Sequence, residues 1–170
     1  MATASANNWS LVLNGLSEAA CTALAAKLAP GFTPDNVVLL AGPIGAGKSH
    51  FARAVIKSRL AACGMDEDVP SPTFTLVQTY QAGDLEIWHS DLYRLTLPQE
   101  IEELGLFDAF KSALCLIEWP EKLGPDTPRD ALKIEFRPSS DADTRNLAFS
   151  ASDGKWDWVQ MALHKGEICG

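Results

Sequence analysis

The sequence predicts an α/β fold in a single domain. Two runs, residues 37–41 and 113–117, are wholly apolar, which is typical of central strands covered on both faces of a sheet. A glycine-rich loop follows the first run, and an amphipathic helix follows that loop over about residues 48–62. The length of 170 residues suits one domain, with residues 153–170 as a candidate short C-terminal appendage.

The elements around the loop are predicted from alternation, capping and helical periodicity. Residues 9–13 alternate weakly between polar and apolar side chains, which indicates a short edge strand. Ser17 is a good N-cap for the alanine-rich helix that follows, and the Pro30-Gly31 pair ends this helix. The helix after the loop should bury one stripe of apolar side chains, namely Phe51, Ala52, Val55, Ile56 and Leu60.

The middle of the chain predicts a β-hairpin. Residues 73–80, after a polar loop over residues 65–72, carry β-branched and aromatic side chains, and residues 85–90 form a second candidate strand after a Gly83-Asp84 turn. The later predicted elements are a short acidic helix over residues 99–104 opened by Pro98, another turn over residues 107–111, an antiparallel strand pair over residues 131–136 and 146–151, and a terminal helix over residues 155–163.

The composition argues against strong nucleic-acid or membrane binding by the chain alone. The formal net charge is −8, whereas a protein that binds a phosphate backbone usually presents a basic face. No apolar run approaches the roughly 20 residues that cross a bilayer, and residues 1–10 lack the features of a signal peptide. The four cysteines are scattered and lack the spacing of zinc ligands. We therefore expect a cytoplasmic protein with free thiols.

The glycine-rich loop predicts a nucleoside triphosphate as the ligand. Residues 42–49 match G-x-x-x-x-G-K-[ST], the P-loop or Walker A motif, at every defined position. Lys48 should reach the β- and γ-phosphates, and the Ser49 hydroxyl should ligate Mg²⁺. A glycine-rich turn that matches by chance is the alternative, which the flanking strand and helix disfavour. The absence of an N-K-x-D motif favours ATP over GTP. The residues expected to hold the phosphates are Gly42, Ile44, Gly45, Ala46, Gly47, Lys48 and Ser49.

Two acidic residues stand at the ends of predicted strands. Glu118 directly follows residues 113–117, and Asp91 directly follows residues 85–90. Ligand sites of α/β proteins lie at this edge of the sheet, and Mg²⁺ in a P-loop site needs a carboxylate from a neighbouring strand. One acid could hold the metal while the other positions or deprotonates water, and the sequence leaves open which does which. The alternative is that each is an ordinary solvated carboxylate. Together with Lys48, these acids are the candidate catalytic residues.

Other polar and aromatic residues near these motifs have two interpretations each. Thr73 and Thr75 lie where P-loop proteins keep a switch segment that senses the metal or γ-phosphate, although plain strand threonines fit nearly as well. Arg94 is a candidate charge stabiliser or an ordinary surface arginine. Trp119 either braces the nucleotide or packs, and packing is favoured. His89 is more typical of a packed histidine than of a catalytic base.

Five sequence blocks together resemble one family, the bacterial TsaE (YjeE) ATPases. This family belongs to the machinery that makes threonylcarbamoyladenosine (t6A) in tRNA. The match covers roughly residues 37–123, and the second, third and fifth blocks are far more specific than the phosphate loop. The blocks, in chain order, are residues 42–51, SPTFTLV at 71–77, HSDLYRL at 89–95, ELGL at 103–106 and LIEWPE at 116–121.

The resemblance implies a fold, an activity and partners. It implies a P-loop NTPase-like, three-layer α/β/α fold with a mostly parallel central sheet and antiparallel additions. It also implies slow ATP hydrolysis with Mg²⁺ and action with the TsaB–TsaD complex, through which tRNA is contacted indirectly. By position, Lys48 and Ser49 would be phosphate and metal residues, Glu118 a Mg²⁺ ligand, Asp91 an acid needed for activity, and Thr73 part of the switch-like segment.

The chain departs from the family pattern at two positions near these blocks. Ser90 replaces the usual phenylalanine, which affects packing beside Asp91. Ser49 replaces a common threonine but keeps the hydroxyl that binds metal.

Three functions remain open from the sequence. The favoured one is an ATPase subunit that couples hydrolysis to resetting a tRNA-modifying complex. The second is a nucleotide-gated regulatory or binding module in which ATP occupancy orders residues 65–80 and hydrolysis is incidental. The third is a small-molecule kinase, which the absence of an arginine-rich lid helix disfavours.

Overall fold

A seven-stranded mixed sheet forms the centre of the protein, seen in a computed structural model that describes residues 8–165. The strands are β1 (Trp9–Ser17), β2 (Val37–Ala41), β3 (Val77–Ala82), β4 (Leu85–Asp91), β5 (Leu114–Glu118), β6 (Leu132–Pro138) and β7 (Thr144–Ala151). The α-helices are α1 (Glu18–Leu28), α2 (Lys48–Ala62), α3 (Pro98–Glu103), α4 (Leu106–Ala109) and α5 (Asp157–His164). Short 3₁₀ turns cover Ala29–Gly31, Pro120–Asp126 and Gly154–Trp156.

The sheet is parallel in its middle and antiparallel at both edges. Its strand order in the described part of the chain is β1-β7-β6-β2-β5-β4-β3. Strand β2 pairs in parallel with β5 and β6, and β4 pairs in parallel with β5. The β3–β4, β6–β7 and β1–β7 pairs are antiparallel. The predicted hairpin and the predicted late antiparallel pair are therefore confirmed, as are the parallel centre and its antiparallel additions.

Helices cover both faces of the sheet and bury its central strands. One apolar cluster joins α1, α2 and α5 to one face, and a second cluster joins α3 and α4 to the other. Along β2 the side chains alternate between them, since Val38 and Leu40 belong to the first cluster and Val37 and Leu39 to the second. This double coverage explains why β2 is apolar throughout and why β5 is apolar up to Glu118, its last residue. The predicted stripe of α2 is confirmed, because all five of its side chains are buried.

The region before β3 differs from the predicted strand. The prediction started this strand at residue 73, but β3 begins at Val77 and the residues before it form a turn. Leu76 has a φ of 67° and donates its backbone N–H to the Pro72 carbonyl at 2.7 Å. Backbone carbonyls of this segment bond to Arg94 and to the N–H of Asp91 instead of continuing the ladder.

The N-terminal strand is longer than predicted. Strand β1 lies at an edge, as expected, but continues to Ser17 through an irregularity between Leu13 and Leu16. Gly15 takes a φ of 68° there, and its N–H bonds to the Asn146 side chain at 2.8 Å. Ser17 caps α1 as predicted, because its hydroxyl accepts the N–H of Ala20 at 3.1 Å.

Two further predictions concern chain properties rather than elements. Among residues 8–165, no helix combines the length and apolar character that crossing a bilayer requires. Cys21, Cys63 and Cys115 are free, and Cys169 lies outside the described residues.

Candidate functional site

A cleft of about 560 Å³ opens at the carboxyl ends of β2, β4 and β5. Ligand sites of parallel α/β sheets occur at this edge. Residues 44–47 of the loop between β2 and α2 line this cleft. The lining residues are Ile44, Gly45, Ala46, Gly47, Lys48 and Ser49 of the loop and the first turn of α2, together with Glu18, His50, Arg53, Thr73, Asp91, Tyr93, Glu118, Trp119 and Arg145.

The loop contains backbone conformations that favour glycine. Gly42, Gly45 and Gly47 have φ values of 141°, 76° and 106°, which side-chain-bearing residues rarely adopt. A Cβ on Gly42 would lie 2.6 Å from the Phe136 carbonyl oxygen. Helix α2 begins directly after Gly47, so the first N–H groups of the helix have no partner within it. Such an N-terminus, with its positive dipole end, is suited to bind an anion.

Lys48 is buried and folded back onto its own loop. Its Nζ donates to the carbonyls of Gly42 and of Pro43, the latter at 3.1 Å. The ammonium also lies 3.7 Å from the ring centroid of Trp119. Burial lowers the pKa of Lys48 below its ordinary value, and the negative charges of Glu118, Glu121 and Asp91 oppose this shift.

Trp119 lines the cleft with an unusual backbone conformation and packs against the ring of Tyr93. It has a φ of 58° and a ψ of 52°, a left-handed conformation unusual for a bulky residue. Its ring lies 4.9 Å from that of Tyr93, measured between centroids. The structure therefore places Trp119 over the Lys48 ammonium, while its role as a brace for a nucleotide stays a prediction.

Glu118 is a buried carboxylate with a partner on each oxygen. The Ser49 hydroxyl donates to its Oε1 at 2.7 Å, and Nε2 of His89 contacts its Oε2 at 2.7 Å. Glu118 is only 2% exposed. The alternative of an ordinary solvated carboxylate is therefore wrong for this residue.

Asp91 is the second buried carboxylate of the cleft and has different partners. It is 5% exposed and pairs with Glu118 in the register of β4 and β5. The Thr73 hydroxyl donates to its Oδ2 at 3.1 Å, and the Tyr93 backbone N–H donates to its Oδ1 at 3.0 Å. Asp91 is therefore no solvated surface carboxylate either.

The oxygen atoms around Ser49 fit a magnesium ion. In proteins this ion often takes one or two carboxylates and completes its shell with water and substrate phosphates. Ser49 and Glu118 present a hydroxyl and a carboxylate oxygen side by side, with Asp91 lining the same cleft. The described residues contain no group of three or more His, Cys, Asp or Glu side chains placed to hold a metal. A cation here would therefore depend on ligands from outside the protein.

The candidate switch residues occupy different positions. Thr73 lines the cleft beside Asp91, although it lies in a turn and not in a strand. Thr75 is exposed outside the cleft lining, and its hydroxyl accepts a hydrogen bond from Gln78 at 2.9 Å. Arg94 is also exposed and donates to the carbonyls of Thr73 at 3.1 Å and Phe74 at 2.6 Å. The guanidinium of Arg94 thus holds residues 73–74 and does not line the cleft.

Sequence reasoning missed two arginines that line the cleft, Arg53 and Arg145. Arg145, on β7, lines the cleft, and its Nη1 would lie 2.6 Å from a Cβ placed on Gly47. No hydrogen-bond or ion-pair partner of its side chain occurs within residues 8–165. Arg145 follows the loop by almost 100 residues and belongs to no motif, so only the sheet topology could reveal it.

The chain is similar to proteins of one named family. Residues 16–147 match the model of the threonylcarbamoyl adenosine biosynthesis protein TsaE. The tRNA threonylcarbamoyladenosine biosynthesis protein TsaE of Rickettsia bellii is 40% identical over 130 residues, which cover 76% of this chain and 87% of that protein. The protein of the same name from Bacillus subtilis is 33% identical over 142 residues, covering 82% and 85%.

Coverage is lower for two other relatives of that name. The Rickettsia conorii protein is 48% identical over 105 residues, or 62% of this chain. The chain spans 58% of the length of that relative and 62% of the length of the Rickettsia felis relative.

A solved structure has a similar fold. The crystal structure of YdiB from Bacillus subtilis superposes with a TM-score of 0.73 at 26% sequence identity, covering 93% of this chain and 96% of YdiB. The mixed α/β architecture is therefore shared over nearly the whole length of both chains.

Proposed function

Because the chain belongs to the TsaE family, we propose that it is a Mg²⁺-dependent subunit that binds and hydrolyses ATP and is required for t6A formation in tRNA. The relatives are named for the biosynthesis of this modified nucleoside. The observation that carries the ATPase proposal is the Ser49–Glu118 hydrogen bond of 2.7 Å beside the phosphate loop. It brings together a hydroxyl and a carboxylate, the oxygen ligands that a nucleotide-bound Mg²⁺ takes in P-loop sites.

The loop and Lys48 form the proposed triphosphate site. The left-handed glycines turn the backbone so that its N–H groups, with those of the first turn of α2, can surround phosphate oxygens. Lys48 now donates to carbonyls of its own loop. We propose that phosphate oxygens replace those acceptors, because a charged oxygen is a stronger acceptor than a carbonyl. The buried ammonium is then compensated by the ligand.

The two carboxylates are proposed to have different roles, one in binding the metal and the other in acting on the attacking water. Glu118 bonds to Ser49 and is proposed as the Mg²⁺ ligand, and the bound ion would neutralise charge that develops on the phosphates. Asp91 bonds to Thr73 in the candidate switch segment and is proposed to position or deprotonate the attacking water. The residues alone left open which acid has which role. The different hydrogen-bond partners of Glu118 and Asp91 support the roles proposed for them.

The proposed partner is the TsaB–TsaD complex, on the strength of the family resemblance. Arginine fingers contribute factors of roughly 10³ to 10⁵ to the rate in other P-loop enzymes. Arg94 is engaged with backbone carbonyls outside the cleft. We therefore propose slow hydrolysis by the chain alone, and acceleration when the complex supplies a cation or releases Arg94. With a net charge of −8, the chain would reach tRNA only through that complex.

Phosphate release with and without purified TsaB–TsaD tests this proposal. We expect slow release from the chain alone, at least about tenfold faster release with the complex, and loss of both with Lys48→Ala. If the wild-type chain releases no phosphate in either condition, the ATPase proposal is wrong.

A nucleotide-gated module is the second candidate function. Residues 73–76 are bonded to Asp91, the last residue of β4, through Thr73, and to Arg94, three residues later, through the Phe74 carbonyl. ATP in the cleft could rearrange these bonds without being hydrolysed, and the exposed Phe74 would move with them. The two candidate functions differ in whether Asp91→Asn, a variant expected to bind ATP without hydrolysing it, still supports repeated t6A formation.

A further inference from the structure

His89 is a fully buried histidine that bonds to the proposed metal ligand. It lies in β4, two residues before Asp91, with no exposed surface. Its Nε2 lies 2.7 Å from Oε2 of Glu118. As a ligand of Mg²⁺, Glu118 would be ionised and could only accept hydrogen bonds, so Nε2 of His89 would be the donor. The other oxygen of Glu118 accepts from Ser49, so both carboxylate oxygens are held.

Packing alone does not account for a histidine at this position. Its Nδ1 is buried and has no hydrogen-bond partner among the described residues. A buried polar atom without a partner is unfavourable, and an apolar side chain of similar size would avoid this. Ile87, two residues earlier on the same face of β4, is such an apolar side chain and is equally buried. The favourable feature that the imidazole adds is its bond to Glu118.

We propose that His89 is a positioning residue that holds the Glu118 carboxylate in the orientation needed to ligate Mg²⁺. The inference rests on the proposed function. If Ser49 Oγ and Glu118 Oε1 both ligated a cation, the hydrogen bond between them would be lost. The hydrogen bond from His89 would then be the described side-chain contact that still orients Glu118. Partners of this kind change metal affinity by roughly 10- to 100-fold in known metal sites.

Three substitutions at position 89 separate hydrogen bonding from packing. His89→Leu keeps an apolar side chain of similar size but removes the donor. His89→Gln keeps an N–H at nearly the distance of Nε2, whereas His89→Asn is too short to place one at Glu118. Ser90→Ala is the matched control, because Ser90 is also fully buried in β4 and its hydroxyl has no partner among residues 8–165.

The measurement is ATP affinity of the full chain by titration calorimetry, first in EDTA and then over a series of free Mg²⁺ concentrations. For His89→Leu and His89→Asn we expect the Mg²⁺ concentration at half-maximal effect to rise roughly 10- to 100-fold. Their affinity for ATP in EDTA should stay within about threefold of wild type. His89→Gln should fall close to wild type, and Ser90→Ala should match it. Circular dichroism confirms that each variant is folded.

Three results would overturn the inference. One is an unchanged Mg²⁺ requirement in folded His89→Leu. Another is an equal loss of affinity with and without Mg²⁺, which indicates a structural role. If His89→Leu does not fold, the His89→Gln and His89→Asn pair decides, and equal Mg²⁺ requirements in these two variants contradict the inference. Failure of the proposed function gives a different result from failure of this inference. In that case ATP binding by the wild-type chain itself does not depend on Mg²⁺.

Discussion

Asp91 lies opposite Glu118 in the register of the parallel strands β4 and β5, and both carboxylates are buried. Their hydrogen bonds lead in different directions. Glu118 bonds to the side chains of Ser49 and His89, whereas Asp91 bonds to Thr73 and to the backbone N–H of Tyr93. Adjacent positions in one sheet thus present two acids in different environments, which is the basis for giving them different roles.

Replacing Asp91 separates hydrolysis from nucleotide occupancy. We expect Asp91→Asn to bind ATP within about threefold of wild type but to hydrolyse it roughly 10² to 10⁴ times more slowly, because an amide cannot accept the proton of water. Single-turnover phosphate release and calorimetry measure the two quantities. If the variant does not hydrolyse ATP and still supports repeated t6A formation with TsaB–TsaD, the nucleotide-gated module replaces the coupled ATPase.

Arg145 should contribute to nucleotide affinity. Its guanidinium lies beside Gly47 and has no side-chain partner in the described part of the chain. An anion bound at the loop could therefore pair with Arg145 without breaking another interaction of this side chain. Hydrogen bonds to charged groups contribute roughly 1.5–3 kcal/mol, and we expect Arg145→Ala to weaken ATP binding about tenfold or more. Arg129→Ala, at an exposed arginine outside the cleft lining, is the control. Equal affinities of the Arg145 variant and wild type would contradict the placement of the ligand.

Gly42 should not tolerate a side chain. Its φ is 141°, and a Cβ at this position would lie 2.6 Å from the carbonyl oxygen of Phe136, so a substitution combines strain with a backbone clash. We expect Gly42→Ala to lower the free energy of unfolding by roughly 2–4 kcal/mol. Gly64 also has a positive φ, 72°, but open space around the Cβ position, and Gly64→Ala should cost about 1 kcal/mol. Chemical denaturation compares the two, and a Gly42 variant as stable as the Gly64 variant would refute the clash.

The pKa of Lys48 predicts proton uptake on ATP binding at alkaline pH. Burial holds this pKa below its ordinary value of 10.5 in the free protein, and a bound triphosphate would raise it. Between the lowered and the raised pKa, binding takes up protons, so affinity falls as the pH rises through this window and is unaffected well below it.

Calorimetry in buffers of different ionisation enthalpy, repeated over a series of alkaline pH values, measures this uptake. Lys48→Arg is the control, because its guanidinium stays charged throughout this pH range and should show no uptake. Equal uptake by the two proteins would mean that another group titrates.

Elements with strong local patterns were predictable from sequence. The two apolar runs were identified as buried strands because strands covered on both faces contain no polar alternation, and β2 and β5 are such strands. Residues 73–76 were misassigned, since their β-branched residues favour a strand while bonds to Arg94 and Asp91 hold them in a turn. Tertiary hydrogen bonds there override local propensity.

Motifs and strand ends pointed to residues 42–49, Asp91 and Glu118 as candidate site residues, but they did not point to the side chains that surround them. The His89–Glu118 bond depends on the pairing of β4 with β5, and Arg145 reaches the loop because β7 lies two places from β2 in the sheet. Neither relationship has a local sequence signature, because strand order is decided by packing of the whole sheet.

The most direct test of the central claim, that residues 42–49 bind the triphosphate of ATP, is calorimetric titration of the full chain with ATP in the presence of Mg²⁺. We predict a saturable heat of binding for the wild-type protein and its loss in Lys48→Ala, with the folded state of the variant verified by circular dichroism. No heat from the wild-type protein, or the same heat and affinity in folded Lys48→Ala, would contradict the claim.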